Sequence, residues 1–330
     1  MTRVLPFALC LSLLAGVPAH SCGFHNYAPQ PTIVERMMDG SSVVLARQSR
    51  TSSFKFEVSE LLSGKVPDTP IPFLIDGSTR RKLEAGKVSV LFSYSEVTQS
   101  WSRLATIDNA IRPVLNDIVA SLPAWRMGNE VARAQSFADL LDHPNPVVHT
   151  LALRELDLVG YDVLRALSIH FDAAKLLKDV DTPMEQDNEA IQVLLLGLSG
   201  DLTLATDLEQ GVLSNRHGFG PALGAYATAW IELQGIDAVK VLSRDYLFDP
   251  AFTPSAQTLI VEALALHRNF GDPDLRDAIS HEMAMVVQKD PSLAALAARY
   301  FAGRGQGLEP GQQATQNSFS ARPSATNVGN

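Results

Sequence analysis

The stretch AQTLIVEALAL, residues 256–266, decides how the second half of this chain is read. Ala256, Leu259, Ile260, Ala263 and Leu264 fall at i, i+3, i+4, i+7 and i+8, which is one face of a helix. Leu223, Tyr226, Trp230 and Leu233 make a similar stripe upstream, and Leu275, Ile279, Met283 and Val286 make another downstream. From Val131 onward no alternating strand pattern interrupts these stripes. Breaks at HPNP, LVGY, DTPM, SGD, HGFGP, LQGI, DPAFTP, GDPD and KDP separate them. About nine helices in series with short connections predict stacked antiparallel hairpins.

Upstream the period changes from helical to alternating. In FKFEVSEL, residues 54–61, Phe54, Phe56 and Val58 fall on one face and Lys55, Glu57 and Ser59 on the other. SVVLAR precedes it as an apolar strand, and IPFLID follows as another short apolar run. KVSVLFSY alternates through Val88, Val90, Phe92 and Tyr94, and SEVTQS turns the chain into WSRLATI to complete a hairpin. PTIVERMMDG reads as a short helix closed by Gly40, and NAIRPVLNDIVASL, residues 109–122, as a helix leaving this region. About five strands at this spacing predict a small barrel or sandwich over residues 22–122. The expected fold class is therefore α+β overall: a small β-rich N-terminal domain, then an all-α solenoid over residues 123–302. Residues 303–330 are rich in Gly, Gln, Ser, Thr, Asn and Pro and offer too little apolar surface to fold, so a disordered tail is expected.

Two family resemblances accompany this reading. DHPNPVVHTLALREL, residues 142–156, resembles a HEAT-type repeat, with its Asp-Pro turn and following apolar helix. GDPDLRDAISHEM, residues 271–283, is similar through Asp272, Pro273, Leu275, Arg276 and Ala278; in the first copy His149 stands where that repeat usually has arginine. The resemblance covers residues 136–302 and implies a HEAT-like helical stack with one continuous core and a long surface for partners. Cys22, then SSVVLARQ, then FKFEVSELLSGK, resembles the opening of netrin-like domains, which are small OB-type barrels of exported proteins. The disulfide cysteines of many such domains are missing here.

The N-terminus carries an address. Arg3 is the only charge in the first twenty-one residues, and LPFALCLSLLAGV at 5–17 is almost wholly apolar. Pro18 and the small-x-small site Ala19-His20-Ser21 complete the pattern of a signal peptide, residues 1–21, cut after Ser21. The run is shorter than the ~20 residues a spanning helix needs. The expected location is periplasmic or secreted. The whole chain has 27 Lys plus Arg against 36 Asp plus Glu, a net charge of −9, and loss of Arg3 makes it one charge more negative. Scattered charge of that sign gives no electrostatic reason to bind nucleic acid or an anionic membrane.

Cys10 leaves with the leader, so Cys22 is the single cysteine of the mature chain and no internal disulfide is possible. Cys22-Gly23-Phe24-His25 has four readings. Cys22 is an acylated anchor that makes the chain a lipoprotein. Or its amine and thiolate chelate zinc or copper with His25 as a further ligand. Or it pairs with another chain, or it is a free thiol. Netrin-like inhibitors of metalloproteases use the N-terminal cysteine's amine and carbonyl on the enzyme's zinc, which the resemblance extends to Cys22.

Other motifs point to little chemistry. No Gly-x-Ser-x-Gly and no phosphate-cradling loop occurs; GLSGD at 197–201 sets its glycine inside an apolar helix. His281-Glu282 begins like a zinc-protease helix, but Met285 replaces the second imidazole, so both read as solvated helix residues. Asp179, Asp181 and Glu185 read as caps and a solvated loop rather than a calcium site. The histidines are dispersed, and a hydrolase would need groups such as His149, Asp142 or Asp181 to meet in a pocket. No catalytic residue is assigned. The expectation is an exported, non-catalytic scaffold of the cell envelope that holds a protein partner, with no nucleic acid, and with membrane contact only if Cys22 is lipidated. The alternative is metal handling or inhibition of a metalloprotein through Cys22 and His25.

Overall fold

The structure, a computed structural model, describes residues 31–180, 182, 186–218 and 222–301. The expected leader, Cys22, His25, Asp181, Glu185 and the expected tail lie outside these residues. Helix α1, Ile33–Asp39, opens on a capping box: the Thr32 hydroxyl accepts from the Glu35 N–H at 3.1 Å and the Glu35 carboxylate accepts from the Thr32 N–H at 2.9 Å. Four antiparallel strands follow: β1 Ser42–Gln48, β2 Phe56–Ser63, then helix α2 Gly77–Glu84, then β3 Val88–Ser95 and β4 Ser100–Asp108. The sheet order is β2-β1-β3-β4, with Val44 opposite Phe92 and Leu45 opposite Leu91.

The central strands are buried on both faces, which is why SVVLAR reads as continuously apolar. On one face Val44, Ala46, Phe56, Val90, Phe92, Tyr94 and Trp101 pack with Ile71 and Ile75. On the other, Val43, Leu45, Leu91 and Ile107 join Val34 and Met37 of α1 and Leu115 and Ile118 of α3, Arg112–Arg126. Among the described residues the outcome is one open four-stranded sheet between helices, where five strands in a barrel or sandwich are expected from sequence.

IPFLID is the segment that differs. It forms a single bridge, Lys55 to Leu74, because prolines at 70 and 72 lack the N–H groups a ladder requires and the buried pair is Ile71 and Ile75. Asp76 then starts α2, its carboxylate accepting from the N–H groups of Ser78 at 3.0 Å and Thr79 at 2.8 Å. Phe54 also differs: it lies before β2 begins and is exposed, although alternation places it with buried Phe56.

Eleven more helices continue the chain among the described residues: α4 Glu130–Ala138, α5 Pro146–Asp157, α6 Tyr161–Ala166, α7 Ala173–Val180, α8 Glu189–Leu198, α9 Ala205–Ser214, α10 Ala222–Gln234, α11 Ile236–Arg244, α12 Pro254–Phe270, α13 Pro273–Lys289 and α14 Leu293–Phe301. They form two layers. Helices α8, α10, α12 and α14 lie side by side, and α11 packs on α13 behind them. Helix α8 is buried all round, from Ala190 to Gly197. Gly197 lets α8 reach α10, since a Cβ there would stand 2.5 Å from the Ala229 Cα; one at Gly211 would stand 2.1 Å from the Tyr226 ring.

The buried cluster runs unbroken from the sheet into this stack. Trp125, at the end of α3, packs on Phe137 of α4 with ring centroids 5.7 Å apart. Arg126 turns back from the same helix end to donate to the carbonyls of Met37, Met38 and Gly40, at 2.9, 2.9 and 2.7 Å, and so finishes the C-terminus of α1.

Candidate functional site

One concavity that gathers several titratable side chains lies between α5 and α7. Its lining is Leu141, Asp142, His149, Phe171, Asp172, Lys175, Leu176 and Asp179, around a space of about 230 Å³ that includes its open mouth. Asn145 caps α5, accepting from the Val147 N–H at 2.9 Å, and Pro146 fixes the first turn. That start sets His149 one turn into the helix, facing back. Its Nδ1 lies 2.5 Å from the Leu141 carbonyl oxygen. A donor N–H at Nδ1 leaves Nε2 as the lone-pair nitrogen, and Nε2 is buried without a hydrogen-bond partner.

The carboxylates arrive from two connections. Asp142 ends the α4–α5 turn and accepts from the Asp172 N–H at 3.2 Å. Asp172 in turn accepts from the Lys175 N–H at 3.0 Å and starts α7. Lys175 and Asp179 follow one turn apart on that helix. The cleft thus has an apolar floor of Leu141, Phe171 and Leu176, three carboxylates, one ammonium and one imidazole. The room inside it is about 10 Å³, enough for about one water, and no serine, threonine or cysteine lines it. Its carboxylates outnumber its one ammonium, which favours a cationic, hydrogen-bond-donating group resting at its rim.

Of the residues singled out by sequence, Asp142 and His149 do meet here, and Asp179 joins them. Asp181 and the Cys22–His25 pair lie outside the described residues. Asp172 and Lys175 escape a sequence reading; the one local signal is an aspartate three residues before a lysine at a helix start. Among the described residues no three His, Cys, Asp or Glu side chains are placed to share a metal ion.

The other polar clusters fasten helices together. Glu282, expected to be solvated, is instead buried and receives Arg244 of α11 at 2.8 and 2.5 Å, while its neighbour His281 is exposed. Arg244 holds the Glu282 carboxyl below the usual range. Arg133 of α4 donates to buried Glu155 of α5 at 2.9 and 2.5 Å; there burial outweighs the arginine and pushes the carboxyl up. Arg165 of α6 donates to Glu232 of α10 at 3.0 Å and to the Phe270 carbonyl at the end of α12 at 2.6 Å, and the Tyr161 hydroxyl donates to Glu232 at 2.7 Å. Beside them His267, fully buried, places Nε2 2.9 Å from the Thr228 carbonyl oxygen and Nδ1 3.7 Å from Glu232. Burial lowers its pKa to about 4.

Comparison with protein-family models, with curated proteins and with solved structures gives no match. The HEAT-type and netrin-like resemblances therefore stand on the residues that suggested them.

Proposed function

We propose that this chain is an exported, non-catalytic binding protein of the cell envelope whose HEAT-like helical stack holds a partner protein. The observation that carries the reading is the two-layer packing of α8 to α14 over one continuous core. Helices stacked in that way leave long rows of helix surface and turns available to a partner. The α5–α7 cleft adds a chemical preference. Three carboxylates around a shallow, partly apolar cleft favour a partner that presents lysine or arginine, in keeping with the acidic balance of the chain.

A photoreactive amino acid at exposed Lys175, beside the cleft, tests this in the native host. A discrete adduct of defined mass is expected, lost when the probe moves to Val97 at the tip of the β3–β4 turn. Absence of any adduct from Lys175 and from a series of exposed positions along α8 to α14 would overturn the reading.

A further inference from the structure

One end of the sheet carries a surface at odds with the acidic balance of the chain. The β1–β2 connection ends at Phe54 and Lys55, and the segment before α2 lies against it. The Ile75 N–H donates to the Phe54 carbonyl at 2.9 Å, and Lys55 bridges to Leu74. Phe54 is 57% exposed and Leu74 71% exposed. Helix α2 follows at once and carries Arg80, Arg81 and Lys82 in a row. The Arg80 guanidinium stands 5.5 Å from the centroid of the Phe54 ring, and Lys55, Arg81 and Lys82 are exposed.

Acidic compensation here is slight. Both oxygens of Asp76 are already engaged by Ser78, Thr79 and Arg103. Glu84 lies 3.9 Å from Arg80, one turn along the helix. A single exposed apolar side chain is ordinary. Here two sit on segments hydrogen-bonded to each other, with Lys55 and Arg80 beside them and Arg81 and Lys82 exposed on α2. Bulky apolar groups beside arginine and lysine match the boundary between lipid phosphates and acyl chains. A soluble acidic partner would account for the cations but not for Phe54 and Leu74 standing clear of the core.

We propose that this end of the sheet docks on an anionic lipid surface. Phe54 and Leu74 enter the interfacial layer, and Lys55, Arg80, Arg81 and Lys82 meet the phosphates. Helix α2 covers the sheet face opposite α1 and α3, the helices whose core continues into the helical stack. The inference does not depend on the scaffold reading.

The test is co-sedimentation of the mature chain carrying Cys22→Ser, so that no acyl group contributes. Vesicles of phosphatidylcholine alone are compared with vesicles that also contain phosphatidylglycerol. Binding is expected only with phosphatidylglycerol, and it should fall with added salt. Changing Arg80, Arg81 and Lys82 together to glutamine should weaken it about a hundredfold, and Phe54→Ser about tenfold. These side chains are largely exposed, and an unchanged circular dichroism spectrum shows that the variants fold. No binding, equal binding to both lipids, or an unchanged triple variant would overturn the inference. Binding to soluble polyglutamate but not to vesicles would also overturn it, and would assign the patch to an acidic polypeptide.

Discussion

The sheet and the helical stack are held together by different means. The sheet splits its apolar residues between two faces, and the face under α2 is a small cluster built on aromatic rings. Phe92 is its centre, with Phe56 at 5.0 Å, Phe73 at 5.6 Å and Trp101 at 6.3 Å between ring centroids. The stack has one shared core, and its successive helices are fastened at their margins by arginines. Arg133, Arg165, Arg244 and Arg268 each reach from one helix to a carboxylate or a terminal carbonyl of another. A small aromatic cluster has little to share a loss with, whereas a long core with polar fasteners spreads it. The α2 face should therefore be the weaker part against core truncation, and the stack should be sensitive to loss of buried charge partners.

Phe92→Ala should be the most damaging single change, at about 4 kcal/mol, with the α2 face losing amide protection before the stack does in hydrogen exchange. Simultaneous loss across the whole chain would show that the two regions unfold as one. Arg133→Met comes next. It leaves the Glu155 carboxylate buried without its cation and should cost about 3 kcal/mol in urea denaturation. The same change at Arg244, whose side chain is 53% exposed against 18% for Arg133, should cost about 1 kcal/mol, because water reaches Glu282 once the arginine is gone. Equal costs would mean that exposure does not govern these fasteners.

A finer difference lies within α12. Burial pushes the Glu262 carboxyl up to about 7, opposed by Arg299, and the same burial pushes His267 down to about 4. The raised carboxyl contributes stability that is complete below its ordinary 4.5 and lost as pH rises through 7. The lowered imidazole contributes stability that is complete above its ordinary 6.5 and lost as pH falls toward 4. The two tilt the stability curve in opposite directions between about pH 4.5 and 6.5. Relative to the parent, Glu262→Gln should make stability rise with pH across that window and His267→Gln should make it fall, each by up to about 2 kcal/mol. Urea melts at pH 5 and pH 7 read this directly. Parent-like slopes in both variants would show that neither group is perturbed by folding.

The parts legible in the sequence are those with a local cause. The stripe at Ala256, Ile260, Ala263 and Leu264 is buried as its period requires. The β3–β4 hairpin pairs where alternation and a polar turn place it. What escaped depends on partners far along the chain. IPFLID has a strand's composition but finds no ladder, and its burial is decided by Phe92 and Trp101 of later strands. Glu282 looks like any helix-surface acid until Arg244, thirty-eight residues earlier, is brought beside it. Asp142 and His149 are groups a sequence reading can single out, yet nothing local shows that Asp172 and Lys175 complete their cleft. Phe54 alternates with Phe56 in sequence and departs from it in space because the strand starts two residues later.

The contact between Arg126 and α1 sets an order of events. The carbonyls at the end of α1 wait for a guanidinium 86 to 89 residues further along. In a chain made amino end first, α1 can be capped at its start at once, by Thr32 and Glu35, but not at its finish. The sheet and α3 must be in place before that end is closed. Helix α1 is thus closed only after the sheet that follows it, and an interrupted chain ending before Arg126 would leave its end unfinished.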